Sequence, residues 1–278
     1  MARVLPERTA TAAPGLTGLL DNWRQIVATG NLPRDRAIDP VSRWLLITRA
    51  CVFSMTLTSA LIGGLLAAAT APAVAWRYFA LAVLGLLVAH ASNNMINDYF
   101  DTVGGVDTAE YTRALYAPHP LLSGLISKAG LKAAILACNL ADVAIGLILL
   151  RARGWPVAAF ALAGLFVSVF YVAPPLKLKH HGLGEPGVFL VWGPLMVCGT
   201  YYVAAGTLPA WVWLASVPYA IAVTTVLIGK HVDKYEQDRA RGMYRIWPLW
   251  YVSLAFYHNK LAGGLFVLGL AVNAALGL

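Results

Sequence analysis

Residues 94–107 read Asn94-Met95-Ile96-Asn97-Asp98-Tyr99-Phe100-Asp101-Thr102-Val103-Gly104-Gly105-Val106-Asp107, two amides and three carboxylates directly behind a long apolar run. On a helix, Asn94, Asp98 and Asp101 stand at i, i+4 and i+7, and Asn97 and Asp101 at i and i+4, so all four can project from one face. That face gathers hard oxygen ligands. Carboxylates crowded at the end of a membrane helix are costly through desolvation and mutual repulsion unless a cation neutralises them. Mg²⁺ is the expected cation, because it prefers oxygen ligands, keeps several waters and bridges carboxylates to substrate phosphates.

Two further stretches belong to the same chemistry. Lys230-His231-Val232-Asp233-Lys234-Tyr235-Glu236-Gln237-Asp238 is a second acidic loop, which weighs against reading the first as a merely solvated surface. Between them lies Tyr171-Val172-Ala173-Pro174-Pro175-Leu176-Lys177-Leu178-Lys179-His180-His181-Gly182-Leu183-Gly184-Glu185. A proline pair stops a helix, and Lys177 and Lys179 are then point charges suited to a diphosphate. Read alone, they are ordinary basic flanks of a membrane span. The remaining histidines, His90, His119, His231 and His258, lack paired metal-ligand spacing and read as polar helix-end residues. Arg49, Asn139 and Asp142 are intramembrane polar groups and functional candidates on that ground, with no partner identifiable from spacing.

The elements that must position these residues are apolar helices. The 278-residue chain is 59% hydrophobic and 12% charged, with a mean hydropathy of +0.66; this is the composition of a polytopic membrane protein. Spans of roughly 20 residues are expected near 45–69, 75–97, 129–150, 155–173, 186–206 and 209–229, with a weaker pair near 246–257 and 261–277. Cys51, Cys138 and Cys198 lie inside apolar runs and read as small core residues. Residues 1–42 form a polar N-terminal region in which Leu16, Leu19, Leu20, Trp23, Ile26 and Val27 recur at helical spacing, as in an interfacial amphipathic helix. Residues 43–278 form one transmembrane domain.

The net charge of +8 orients the chain rather than advertising nucleic acid. With the N-terminus in the cytoplasm, Arg77, Arg151, Arg153 and Lys260 fall on the outer side and Arg49 within the first span; every other Lys and Arg lies on the cytoplasmic side. The long polar loops, both acidic segments among them, share that side.

The first motif, Asn94-x-x-Asn97-Asp98-Tyr99-Phe100-Asp101 with Gly105-Val106-Asp107, resembles the first aspartate-rich motif of the UbiA superfamily of membrane prenyltransferases. The Tyr171 to Glu185 stretch, with Gly193-Pro194 and Gly199-Thr200-Tyr201-Tyr202-Val203, is similar to the menaquinone-branch members that prenylate 1,4-dihydroxy-2-naphthoate. The resemblance runs from about residue 43 to residue 242. It implies an all-α bundle of transmembrane helices around a central cavity, with two acidic motifs holding Mg²⁺ against a prenyl diphosphate at the cytoplasmic face. Asn94, Asn97, Asp98 and Asp101 would form the first metal–diphosphate cluster, supported by Asp107. Lys177 and Lys179, with Tyr171, would contact the diphosphate, and Asp233 with Asp238 would supply the second cluster. The partners implied are a prenyl diphosphate, a small aromatic acceptor and the lipid bilayer.

Two departures carry expectations of their own. Asp233 and Asp238 are five apart, about 140° around a continuous helix, so either the helix ends early or Glu236 shares the metal role. After Arg241-Gly242 the family commonly continues with a Thr-Leu-Pro-Val segment and reaches nine spans, whereas this chain passes into Met243-Tyr244-Arg245-Ile246-Trp247-Pro248. About eight apolar segments are therefore expected, in a chain shortened after residue 242 with weakened or absent activity. The competing readings are a transferase of the same type with another aromatic or a sugar-phosphate acceptor, and an ion-coupled transporter. A transporter would place its ionisable groups near mid-membrane and show internal repeats.

Overall fold

The computed structural model describes residues 15–33, 35–108, 118–233 and 251–276. Among them the regular structure is helical throughout: α1 (Leu16–Thr29), α2 (Pro40–Ile47), a 3₁₀ turn (Ala50–Val52), α3 (Phe53–Thr70), α4 (Trp76–Val103), α5 (Lys128–Arg153), α6 (Pro156–Phe170), α7 (Gly184–Ala205), α8 (Trp211–Asp233) and α9 (Tyr251–Leu276). Six stretches, Ala50–Thr70, α4, α5, α7, the Trp211–Lys230 part of α8 and the Ala255–Leu276 part of α9, are long and apolar enough to cross a membrane; α6 is apolar but shorter. In lipid this is the expected solution, because a helix satisfies its backbone hydrogen bonds internally. Along α5, Leu136, Leu140, Val143 and Leu147 form an exposed stripe at helical spacing, the face a lipid-contacting helix needs.

The C-terminal part differs from the sequence expectation. His258-Asn259-Lys260 reads as the break between two short apolar runs and puts Lys260 in an outer loop, yet all three lie inside the single helix α9. The reason is packing: Asn259 is buried, and its Oδ1 accepts a hydrogen bond from the Tyr219 hydroxyl of α8 at 3.4 Å. A polar residue can bond to a neighbouring helix without breaking its own; here the Oδ1 is used and the buried Nδ2 has no partner.

The chain divides into two compact units, residues 1–53 with 90–137, and residues 54–89 with 138–278. In the second, α8 packs against α7 and α9. Gly193 lets α7 and α8 approach: a Cβ there would collide with the Cβ of Ala220. Pro194 lies in a π-helical stretch of α7, Val191–Cys198, the wider turn that accommodates an interruption of the α ladder.

In the first unit, α1 packs on α2 through Ile26, Leu32 and Leu46, with Leu125 against them. Leu16, Leu20 and Val27 stay exposed. Gly30 ends α1 at φ 75°, and its amide donates to the carbonyl of Ile26; a Cβ there would lie 2.9 Å from Cys51 Sγ. The N-terminus of α2 is held by Asp39, whose carboxylate accepts from the amides of Val41 (2.9 Å) and Ser42 (3.0 Å), the Trp23 indole (3.0 Å) and the Ser42 hydroxyl. Burial alone would raise the Asp39 pKa; the Ser42, Trp23 and Val41 hydrogen bonds outweigh it and hold the group below the usual carboxylate value. The charged form is therefore favoured by folding, and its contribution is present above the unfolded-state pKa and lost as pH falls through the folded one. Asp39→Ala is expected to cost about 1–2 kcal/mol at pH 7. Thermal unfolding in detergent should show that gap closing below about pH 4.

Candidate metal and diphosphate site

Helix α4 does not stop where hydrophobicity ends. It runs on through the polar stretch to Val103, and a tight turn then reverses the chain: Gly105 has φ 70°, and the amides of Val106 and Asp107 both donate to the carbonyl of Asp101, at 2.8 and 3.0 Å. This turn swings Asp107 back toward the helix. His119 meets it there, with Nε2 lying 3.0 Å from Asp107 Oδ2 and 3.8 Å from Asp98 Oδ1. Ligand atoms of Asp98, Asp107 and His119 all lie within 4.8 Å of one another, and all three residues are buried. Arg49 completes the group through an ion pair from its Nη2 to Asp98 Oδ1. All four belong to the first unit.

His119 is not an isolated helix-end residue, as its spacing suggests. It is 1% exposed and organises its own turn. Its amide donates to Ser123 Oγ at 3.1 Å, and its Nδ1 accepts from the amides of Leu121 and Leu122 at 3.3 Å each. An Nδ1 facing two N–H donors leaves the ring proton on Nε2, so the Asp107 contact is a donated hydrogen bond. That tautomer orients Asp107 and does not offer Nε2 as a metal ligand. Oxygens remain as the donors: the Asp98 and Asp107 carboxylates and Asn97 Oδ1, which is buried with no hydrogen-bond partner. Hard oxygens of this kind fit Mg²⁺.

The other expected site residues are spread over both units. Asn94 is buried, and its Nδ2 donates to the carbonyl of Thr48 at 2.9 Å, tying α4 to the end of α2. Asp101 is buried and its backbone carbonyl anchors the turn. In the second unit, Tyr171 follows α6, and its carbonyl accepts the amide of Lys179 at 3.0 Å, folding the loop back on itself; Lys177 is exposed and Lys179 half-buried. Asp233 is the last residue of α8, while Glu236 and Asp238 lie outside the described residues. The intramembrane candidate Asp142 is half-buried on α5, its Oδ1 close to the Cα of Gly85. Arg49 and His119 are the two site residues that spacing did not assign. His119 stands between Pro118 and Pro120, a turn signal, and Arg49 is a charge inside an apolar run.

The apolar helical fold is that of a polytopic membrane protein, and its second span ends in buried carboxylates. The chain belongs to the UbiA prenyltransferase family, whose profile matches residues 56–278, and it is an integral membrane protein. It is 25% identical over 219 residues to a 2-carboxy-1,4-naphthoquinone phytyltransferase of Synechocystis sp., covering 77% of this chain and 68% of that protein. It is 24% identical over 156 residues to a 1,4-dihydroxy-2-naphthoate octaprenyltransferase of Bacillus subtilis, covering 54% of this chain and 48% of that one. Among solved structures, a UbiA homolog from Archaeoglobus fulgidus bound to GPP and Mg²⁺ shares the fold with a TM-score of 0.59 at 16% identity, over 85% of this chain and 78% of that one.

Proposed function

We propose that this protein transfers an isoprenyl group from a prenyl diphosphate to a small aromatic acceptor of the 1,4-dihydroxy-2-naphthoate type. The observation that carries the reading is the buried Asp98–Asp107 pair at the end of a membrane helix that also carries the unpartnered Asn97 Oδ1. Buried carboxylates persist only where positive charge meets them, and here the oxygens are those a diphosphate-bound Mg²⁺ requires. The names of the naphthoquinone-pathway relatives supply the acceptor class. In this reading the site faces the cytoplasm, which the uneven distribution of Lys and Arg between alternate loops supports.

Asp98, Asp107 and Asn97 would hold the metal, with Asn94 and Asp101 fixing the helix end that carries them. Asp233, Glu236 and Asp238 would supply a second acidic set, and Tyr171, Lys177 and Lys179 would meet the diphosphate. The metal, when bound, supplies charge stabilisation for the departing diphosphate. Lys177 and Lys179 would add positive charge to the same leaving group as the allylic C–O bond breaks and its electron pair departs with the diphosphate. The apolar spans exclude water from the allylic cation; the acceptor ring donates the electron pair of the new carbon–carbon bond and regains aromaticity by releasing what the attacked carbon carried, a proton or the carboxylate as CO₂, the bonding pair returning to the ring.

The test is direct. Membranes carrying the full chain, incubated with geranylgeranyl diphosphate, 1,4-dihydroxy-2-naphthoate and Mg²⁺, are expected to yield a prenylated aromatic product by mass spectrometry. Chelation should abolish it and added Mg²⁺ restore it. Absence of product with every aromatic acid tried would overturn the activity, and undiminished turnover after exhaustive chelation would overturn the metal role.

A further inference from the structure

Arg49 occupies an unusual position. It comes after α2 at φ 54° and ψ 50°, a left-handed conformation that side-chain-bearing residues rarely adopt, and it caps the 3₁₀ turn that begins the first span. Such a conformation persists where its surroundings over-determine it, and it clusters where a site is built. Here it delivers the guanidinium to Asp98. The two ends of that ion pair are not equally enclosed: the Asp98 side chain is fully buried, while 18% of the Arg49 side chain is exposed. The guanidinium is also incompletely used, because its buried Nε has no hydrogen-bond acceptor. A planar fork with an unmatched donor beside a carboxylate is suited to oxygens of a phosphate group.

Charge sets the order of binding. Asp98 and Asp107 are both buried, and Arg49 neutralises the first through its ion pair. A divalent cation that takes Asp98 must displace the guanidinium or crowd it, and both outcomes weaken metal binding. A diphosphate arriving with the metal removes the conflict, since its oxygens give Arg49 a new anionic partner. Metal alone is thus disfavoured, and metal with diphosphate is favoured, by the same residue.

We propose that Arg49 is an exchangeable counterion: it holds Asp98 in the substrate-free protein and passes to the diphosphate when metal takes the carboxylate. This inference rests on the metal–diphosphate reading of the Asp98 site. It makes Arg49 a substrate-binding residue and makes metal and diphosphate bind cooperatively, with no need for a separate gate.

The experiment reads binding in the detergent-purified full chain, without turnover. Mn²⁺ affinity is measured by electron paramagnetic resonance with no diphosphate present, and inorganic pyrophosphate affinity by calorimetry at saturating Mg²⁺. Arg49→Gln is expected to tighten Mn²⁺ by roughly tenfold, because a competitor for Asp98 is gone, and to weaken pyrophosphate by about tenfold or more. Arg49→Lys, which keeps the counter-charge and guards against misfolding, is expected to leave Mn²⁺ within about threefold of wild type while still weakening pyrophosphate. A purely structural ion pair predicts the opposite pattern, with both affinities falling together with thermal stability. Parallel losses in Arg49→Gln, or unchanged pyrophosphate affinity in both variants, overturn the exchange while leaving the proposed function standing. Wild-type protein that binds neither Mn²⁺ nor Mg²⁺-pyrophosphate removes both.

Discussion

Asp98→Asn is expected to lower the rate of prenyl transfer by about 10²–10³-fold, the loss typical of a group that stabilises charge developing in a transition state. The amide keeps the volume and one acceptor oxygen, so the fully buried position is neither emptied nor overpacked. What disappears is the negative charge that a metal needs and that Arg49 now pairs with. Loss of the buried carboxylate leaves the guanidinium with a weaker partner, so the variant should also melt at a lower temperature. The measurement is product formation per mole of folded protein in reconstituted membranes, with the amount of protein determined separately. Turnover within threefold of wild type would remove Asp98 from the chemistry.

The second large effect falls on His119, and two substitutions separate its two duties. The Oδ1 of asparagine stands near the place of Nδ1, so His119→Asn keeps an acceptor for the amides of Leu121 and Leu122 and loses the donor to Asp107. A misoriented outer partner of a metal ligand typically costs 10–100-fold in metal affinity, and the Mg²⁺ concentration for half-maximal activity should rise by about that factor. His119→Gln places its amide near Nε2 and preserves the Asp107 contact while giving up the turn. That variant should lose about 1–3 kcal/mol of stability, the usual cost of a buried hydrogen-bonding group left unpaired, with the Mg²⁺ requirement close to wild type. Chemical or thermal unfolding beside a Mg²⁺ titration distinguishes the two, and identical behaviour of both variants would contradict the split. In a double-mutant cycle with Asp107→Asn, the His119→Asn effect on Mg²⁺ should largely vanish, since both changes remove one interaction.

Much of the site's first half was legible from spacing. A helix has a fixed period, so Asn94, Asn97, Asp98 and Asp101 had to share a face once the helix continued past the apolar run, and α4 does continue to Val103. The turn that follows, with Gly105 at φ 70°, was not part of that reading. What lay beyond local geometry was where the turn would send the chain. The contact of His119 with Asp107 joins residues 12 apart, and that of Arg49 with Asp98 joins residues 49 apart. Pairings of that range are set by how helices pack, and periodicity carries no information about them. The same limit explains the C-terminal region, where Asn259 reads as a break in hydrophobicity and is instead a polar contact facing Tyr219 inside α9.

By itself, then, the sequence determined the solvent, the class of fold and which carboxylates stand at the end of the second span. Those come from composition, from runs long enough to cross a bilayer and from carboxylates at helical spacing, each a local or summed property of the chain. Only the tertiary structure decided which cation pairs with Asp98, which nitrogen of His119 faces Asp107, and that a helix passes uninterrupted through His258-Asn259-Lys260. Each of these depends on a partner distant in sequence. A buried charge or amide is stabilised by whatever packing places beside it, and that neighbour cannot be read from the residue's own surroundings in the chain.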